Sequence, residues 1–389
     1  MASNSAVSSL GAERGPGASL GEVAKVFLKL GAISFGGPAG HIAMMEDELV
    51  RRRGWLTREK FLDLLGAVNL IPGPNSTELA IYVGLLRGGW AGLLVAGVSF
   101  ILPAAVMVFV LAWGYVRYGM LPQAGALLYG TKPVIIAVCM QALWGLGRTA
   151  VKTRFLAVLG VAAVVAGALN VNPLLVLLAG GVIGALGRSF AVGRRPSLGA
   201  LLPGVAALPA AAAVSVGSLF LYFCKVGAVL FGSGYLLLAF LRADLVERWH
   251  WLTEAQLLDA IAVSQVTPGP LSTAATFIGY VLAGPWGALL GTIGIFLPGF
   301  LIVAASGPLI PRLRQSPLAG AFLDGVNVAA VALMIVVSGQ LGRAALVDVT
   351  TIVIVAASAV LLLRFRANSA WLVIGGALVG LAASFLHPR

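Results

Sequence analysis

Residues 27–37 read FLKLGAISFGG, and 223–233 read FCKVGAVLFGS, a shift of 196 residues. The same shift lays IPGPNST (71–77) on TPGPLST (267–273) and the end of RGWLT (53–57) on HWLT (250–253). GGWAGLL (88–94) falls on GPWGALL (284–290), and after a one-residue slip LGR (146–148) meets LGR (341–343). Two copies with matching Gly and Pro breaks in an apolar chain are the mark of a membrane protein built from related halves, as many secondary transporters are.

Composition fixes the solvent. Of 389 residues, 59% are hydrophobic and 10% charged, and the mean hydropathy is +0.99. Soluble domains carry about 25% charged residues, so this chain cannot cover a water-facing surface and reads as an all-α polytopic membrane protein. The net charge of +12 comes from basic residues gathered in short loops, where they set orientation rather than bind nucleic acid. Cys139 and Cys224 stand alone in apolar stretches, which gives neither a disulfide framework nor a metal site. Residues 1–18 read as a disordered tail, 19–195 as the first repeat and 196–389 as the second.

A spanning helix needs about 20 apolar residues. The first copy offers 20–45, 90–116, 124–147, 155–169 and 173–187; the second offers 216–241, 287–310, 322–342, 349–363 and 370–386. Between them, 61–86 and 257–282 are broken by Pro72-Gly73-Pro74 and Pro268-Gly269-Pro270. Each half of such a segment rises only about 16 Å as helix. If these segments are re-entrant hairpins, each copy has five crossings and the copies are inverted. That arrangement collects 16 basic residues, from Arg51 to Arg366, on one side and 6, from Arg14 to Arg389, on the other. The richer side is then cytoplasmic and both termini lie outside.

Four lysines, Lys25, Lys29, Lys132 and Lys225, fall inside apolar segments. A charge at the bilayer centre costs at least ~2.5 kcal/mol, so it stays only with a partner or a task. Lys25 is close enough to a helix end to snorkel. Lys29 and Lys225 are repeat mates before a glycine break, which makes them candidates for binding an anion. Asp63 and Asp259, also mates, are either proton carriers or acids at interfacial helix starts, where the dipole favours them. Glu78 has Ala274 at its equivalent position; a lone carboxyl there is a proton carrier or a lysine's counter-charge. His41 is a proton-relay candidate or simply a polar residue at a helix break.

Pro-Gly-Pro cannot continue a helix, and the residues after it open a new one: Asn75, Ser76 and Thr77 in the first copy, Ser272 and Thr273 in the second. A helix N-terminus at membrane depth offers free N–H groups and a positive dipole end. Two opposed breaks, Pro72-Gly73-Pro74 and Pro268-Gly269-Pro270, would aim such ends at one cavity. Lys29, Gly36 and Gly37 join them from one copy, Lys225 and Gly232 from the other. The expected site is small, positive and lined with hydroxyls, suited to a compact oxyanion. The P-loop pattern is absent. No nucleophile–base pair or metal cluster suggests an enzyme, and nothing calls for a cofactor.

With KLGAISFGG (29–37), Trp55-Leu56-Thr57 and PGPNST (72–77) each echoed about 196 residues later, the chain resembles the chromate ion transporter superfamily in its long two-domain form. The resemblance spans nearly everything beyond the tail. It implies antiparallel halves and export of chromate across the bacterial inner membrane, driven by the proton or potential gradient. Sulfate, also a tetrahedral dianion, is the natural mimic. A carrier for sulfate or another inorganic anion, or a passive anion channel, is the alternative. Coupling ion and oligomeric state are not written in the residues.

Overall fold

The structure, a computed structural model, describes residues 19–35, 37–119, 122–192, 214–230, 234–306, 316–365 and 367–386. The expected tail (1–18), the connection between the copies (193–213), Gly36 and Gly232 lie outside the described residues. Every described element is helical. The first copy contains α1 (Leu20–Ile33), α2 (Gly37–Glu46) with a π-helical extension (Asp47–Arg52), and α3 (Arg58–Val68). It continues with α4 (Asn75–Tyr118), α5 (Pro122–Ala150), α6 (Arg154–Ala168) and α7 (Pro173–Val192). The second contains α8 (Val216–Val229), α9 (Leu237–Leu241) with its π-helical extension (Arg242–Arg248), and α10 (Glu254–Val266). It ends with α11 (Ala274–Ser306), α12 (Pro317–Ala345), α13 (Val349–Arg364) and α14 (Ser369–Leu386). Four stretches, Asn75–Tyr118, Gly125–Ala150, Leu271–Ser306 and Pro317–Ala345, are long and apolar enough to cross a membrane, which makes this a polytopic membrane protein.

The shared WLT motif is a helix start. Thr57 accepts a hydrogen bond from the Lys60 N–H and Thr253 from the Gln256 N–H, the N-cap geometry expected of threonine. The two longest helices are not straight. In α4, Gly89 takes φ +60°, and in α11, Gly284 takes φ +63°. At each the chain reverses. Thr276 and Thr292 share a 2.7 Å hydrogen bond, although sixteen residues of straight helix would hold them about 24 Å apart. Likewise Gly84 packs on the Gly92 backbone, and Gly279 on that of Gly287, so closely that a β-carbon would overlap it.

These turns also date the slip between copies. Gly88–Gly89 matches Ala283–Gly284 in backbone angles, a shift of 195, whereas the Pro-Gly-Pro turns match at 196. The residue is lost just after the second turn. There Leu271–Thr273 forms a 3₁₀ turn where the first copy is α-helical from Asn75. A 3₁₀ turn rises about 2.0 Å per residue against 1.5 Å, so three residues cover the length of four.

The expected crossing at 20–45 is corrected. α1 and the α2 segment run antiparallel: Arg53 bonds Glu22 at 2.9 Å, and Lys29 bonds Glu48 at 2.8 Å. The segment therefore ends beside its own beginning. The expected crossing at 216–241 doubles back too, with Lys225 on Asp244 at 3.2 Å and the Tyr222 hydroxyl donating to the Phe240 carbonyl at 3.1 Å. The chain reverses between α1 and α2 instead of kinking.

The halves are interleaved. α5 packs against α13 and α14 of the other copy, while α12 packs against α6 and α7. Glycines permit it: Gly130 meets the Gly376 backbone, and its equivalent Gly325 meets that of Gly180. Where lipid replaces water, close backbone approach of this kind is what holds helices together.

Candidate functional site

The interruptions of the two copies are bonded to each other. The Gly73 N–H donates to the carbonyl of Leu230, where α8 ends, at 2.5 Å. The Gly269 N–H donates to the carbonyl of Ser34, where α1 ends, at 2.9 Å. Ser34 and Leu230 are themselves 196 residues apart, so each Pro-Gly-Pro turn caps the other copy's first helix in the same way. Gly73 (φ +136°) and Gly269 (φ +104°) hold backbone angles that L side chains rarely adopt.

Buried polar atoms without a protein partner gather around these turns: Ser34 Oγ, Asn75 Oδ1, Thr77 Oγ1, both oxygens of Glu78, and Ser272 Oγ. Such atoms are rare in folded proteins and cost about 1–3 kcal/mol each unless something polar meets them. Ser76 is also buried and its hydroxyl lies 3.2 Å from His41 Nδ1, while Thr273 donates to the Pro270 carbonyl at 2.8 Å. Gly37, at φ +69°, opens α2.

Glu78 is fully buried in a space made by two glycines. A β-carbon on Gly73 would overlap its carboxylate, and one on Gly299 would lie 2.9 Å from Oε1. In the symmetric place, a β-carbon on Gly269 would lie 2.6 Å from Ala104 Cβ. Ala104 and Gly299 are equivalent at the shift of 195. Glu78 falls where the second copy has one residue fewer, so the expected match of Glu78 with Ala274 is corrected, Ala274 answering to Leu79. The turn at Gly269 thus faces the methyl of Ala104, while the turn at Gly73 faces the Glu78 carboxylate, with Gly299 in place of that alanine.

The remaining candidates separate. His41 is buried with its ring edge toward Phe100. Asp63 lies exposed on α3, while its mate Asp259 is buried, 3.2 Å from Lys132 and accepting from the Tyr115 hydroxyl at 3.0 Å. Lys29 and Lys225 are one and a half turns from the bonded carbonyls, and each is matched by an acid, Glu48 or Asp244. The sequence offers only Glu78 as a lysine's counter-charge, yet the true partners, Glu48 and Asp244, are 196 residues apart. Extending the repeat comparison into the charged segments is the signal that finds them.

Removing one member of a buried ion pair leaves the other uncompensated, at a cost of about 3 kcal/mol. We therefore expect Lys225→Ala to reduce the amount of folded protein in membranes, because the Asp244 side chain is only 6% exposed and would keep only Arg248, at 4.0 Å. The double variant Lys225→Met with Asp244→Asn should recover that amount. Quantitative detection in detergent extracts checks both.

A cavity of about 540 Å³ reaches the first Pro-Gly-Pro turn. Asn69 and Asn75 line it on the side of that turn, the Asn75 side-chain amide donating to Asn69 Oδ1 at 2.5 Å. Thr149 and Lys152 from the end of α5, and Asp324 and Asn327 from the start of α12, line the rest. Among the described residues, no group of three or more His, Cys, Asp or Glu could hold a metal.

The family model that describes a chromate transporter matches residues 21–185 and again 217–381, once per copy. The chain belongs to the chromate transporter family. It is 32% identical over 384 residues to the chromate transport protein of Cupriavidus metallidurans, covering 95% of this chain and 94% of that one. It is 34% identical over 328 residues to the chromate transport protein of Pseudomonas aeruginosa, covering 79% and 77% of the two chains. A probable chromate transport protein of Synechococcus elongatus is 32% identical over 348 residues, 87% of this chain and 88% of the relative. No solved structure matches the chain. Membership makes the protein a transporter and not an enzyme, and both matches include the paired breaks and a Pro-Gly-Pro turn.

Proposed function

We propose that the transporter exports chromate across the bacterial inner membrane, binding the dianion between the two Pro-Gly-Pro turns and drawing on the membrane gradient. What carries this reading is the reciprocal pair of bonds from Gly73 and Gly269, with orphaned hydroxyls and helix N-termini of both copies around them. Ser76, Thr77 and Ser272 supply hydroxyl donors, Thr273 braces its turn through the bond to the Pro270 carbonyl, and the backbone after Pro72-Gly73-Pro74 and Pro268-Gly269-Pro270 supplies N–H groups. Lys29 and Lys225, with Gly37, set the field from behind, already shared with Glu48 and Asp244. Glu78 is the proton carrier and holds its proton while the dianion is bound beside it, because a neighbouring negative charge disfavours the bare carboxylate. A bare carboxylate there, with no counter-charge bonded to it, costs several kcal/mol.

In the topology that fits this role, each copy has two doubled-back segments and the copies are inverted. Arg87 stacks on Trp55 at 5.1 Å, so the Pro72-Gly73-Pro74 segment leaves on the side it entered. Tyr115, near the far end of α4, packs on Phe277 and bonds Asp259 in the second copy's hairpin. That hairpin therefore enters from the opposite face. Trp90 and Trp286, exposed at the two tight turns, suit the two membrane interfaces. The end holding Arg51–Arg53 and Arg87 is cytoplasmic. Because Glu22 bonds Arg53, α1 begins on that side in this reading, where the charge count alone suggested an external start.

Inverted membrane vesicles provide the test. They should accumulate radiolabelled chromate against its gradient, lose it on addition of an uncoupler, and show competition by sulfate. Equilibration that never exceeds the outside concentration would make the protein a passive pore. Accumulation of sulfate without chromate would make it a sulfate carrier.

A further inference from the structure

The cavity below the first Pro-Gly-Pro turn has a charge arrangement that the central site leaves unexplained. Its lining contains one cation and one anion, Lys152 and Asp324, bonded to each other at 2.6 Å. The lysine side chain is 58% exposed and the aspartate 33%, so the pair stands at the mouth, open to water. Uncharged amides, Asn327, Asn69 and Asn75, line the same cavity, and Asn75 is the neighbour in sequence of the buried Ser76. A structural ion pair in that setting contributes little, since exposed pairs are worth about 0–1 kcal/mol. A neutral vestibule also gives a dianion no reason to enter.

We infer that Lys152 is a capture residue for the oxyanion: an arriving tetrahedral dianion displaces the Asp324 carboxylate from the Lys152 ammonium and is handed along Asn327, Asn75 and Asn69 to the central turn. The two competitors for the ammonium are chemically alike, each offering anionic oxygens, but the dianion carries twice the charge. The released carboxylate stays solvated at the mouth, so the exchange exposes no buried charge. α5 and α12 come from different copies, so capture also loosens the link between Lys152 and Asp324 at the cytoplasmic end. This inference rests on the proposed oxyanion export, and the vestibule opens on the side from which an exporter must load.

Chromate uptake into inverted vesicles holding the full chain decides it. Lys152→Gln should raise KM for chromate about fivefold, the range of an exposed ion pair, and leave Vmax unchanged. Asp324→Asn, which removes the competitor, should lower KM. Raising the ionic strength should weaken uptake by the unsubstituted protein more than uptake by Lys152→Gln, because screening acts on the captured charge. Lys152→Arg should preserve capture and serves as the control for folding. Equal rises in KM for both variants, or losses of Vmax in both, would show a structural latch and overturn capture. If the unsubstituted chain moves chromate and Lys152→Gln matches it, capture alone fails. If the unsubstituted chain moves no oxyanion, the export reading fails as well.

Discussion

Gly269→Ala is expected to reduce chromate transport more than tenfold while the protein still reaches the membrane. Gly269 holds φ +104°, donates to the Ser34 carbonyl at 2.9 Å, and faces Ala104 so closely that a new β-carbon would lie 2.6 Å from the Ala104 methyl. Backbone strain of this kind costs about 1–3 kcal/mol, and a lost hydrogen bond adds about 1 kcal/mol. The turn relieves both by moving away from Ser34, which separates the two copies' interruptions. Two controls isolate the cause. Gly284→Ala carries similar strain at φ +63° but meets nothing within 4 Å, so it should lower stability without a specific transport defect. Adding Ala104→Gly to Gly269→Ala removes the steric conflict and should restore part of the activity. Wild-type transport by Gly269→Ala would show that the contact between copies is dispensable.

Glu78→Gln should leave chromate binding nearly intact and remove the response of transport to an imposed pH gradient. Glutamine keeps the volume that Gly73 and Gly299 enclose, so packing is preserved, but it cannot gain or lose a proton. Uphill accumulation should fall at least tenfold, with exchange of internal for external chromate less affected. Gly299→Ala, which brings a methyl within 2.9 Å of the carboxylate, should mimic part of this loss. Proton-coupled accumulation surviving in Glu78→Gln would pass the role to His41 or Asp259.

The internal duplication, the Pro-Gly-Pro breaks and the polytopic class were legible because proline and glycine punctuate helices in a way apolar residues do not. Thr57 and Thr253 announce their helices for the same local reason. Reversal between α1 and α2 was not legible, since an FGG break looks alike whether the chain kinks or turns back. Only the long-range pairs Glu22–Arg53 and Lys29–Glu48 distinguish the two. Interleaving of α5 and α12 was hidden too: Gly130 and Gly376 are 246 residues apart and carry no side chain to mark a contact. The lysines were found and their acids missed, because Glu48 sits in a charged stretch ending in three arginines that reads as a loop. Asn327 and Lys152 had no motif at all; only the packing of α12 beside the end of α5 makes them neighbours of Asn75.

Crystals of the transporter soaked in chromate, measured at the chromium absorption edge, test the central claim directly, because the anomalous signal locates the metal atom without assumptions about side chains. The expected result is one strong peak within hydrogen-bonding reach of the Ser76–Thr77 and Ser272–Thr273 hydroxyls, between Gly73 and Gly269, that disappears when sulfate replaces chromate. A strong peak elsewhere in the protein, with none between the two turns, would contradict it.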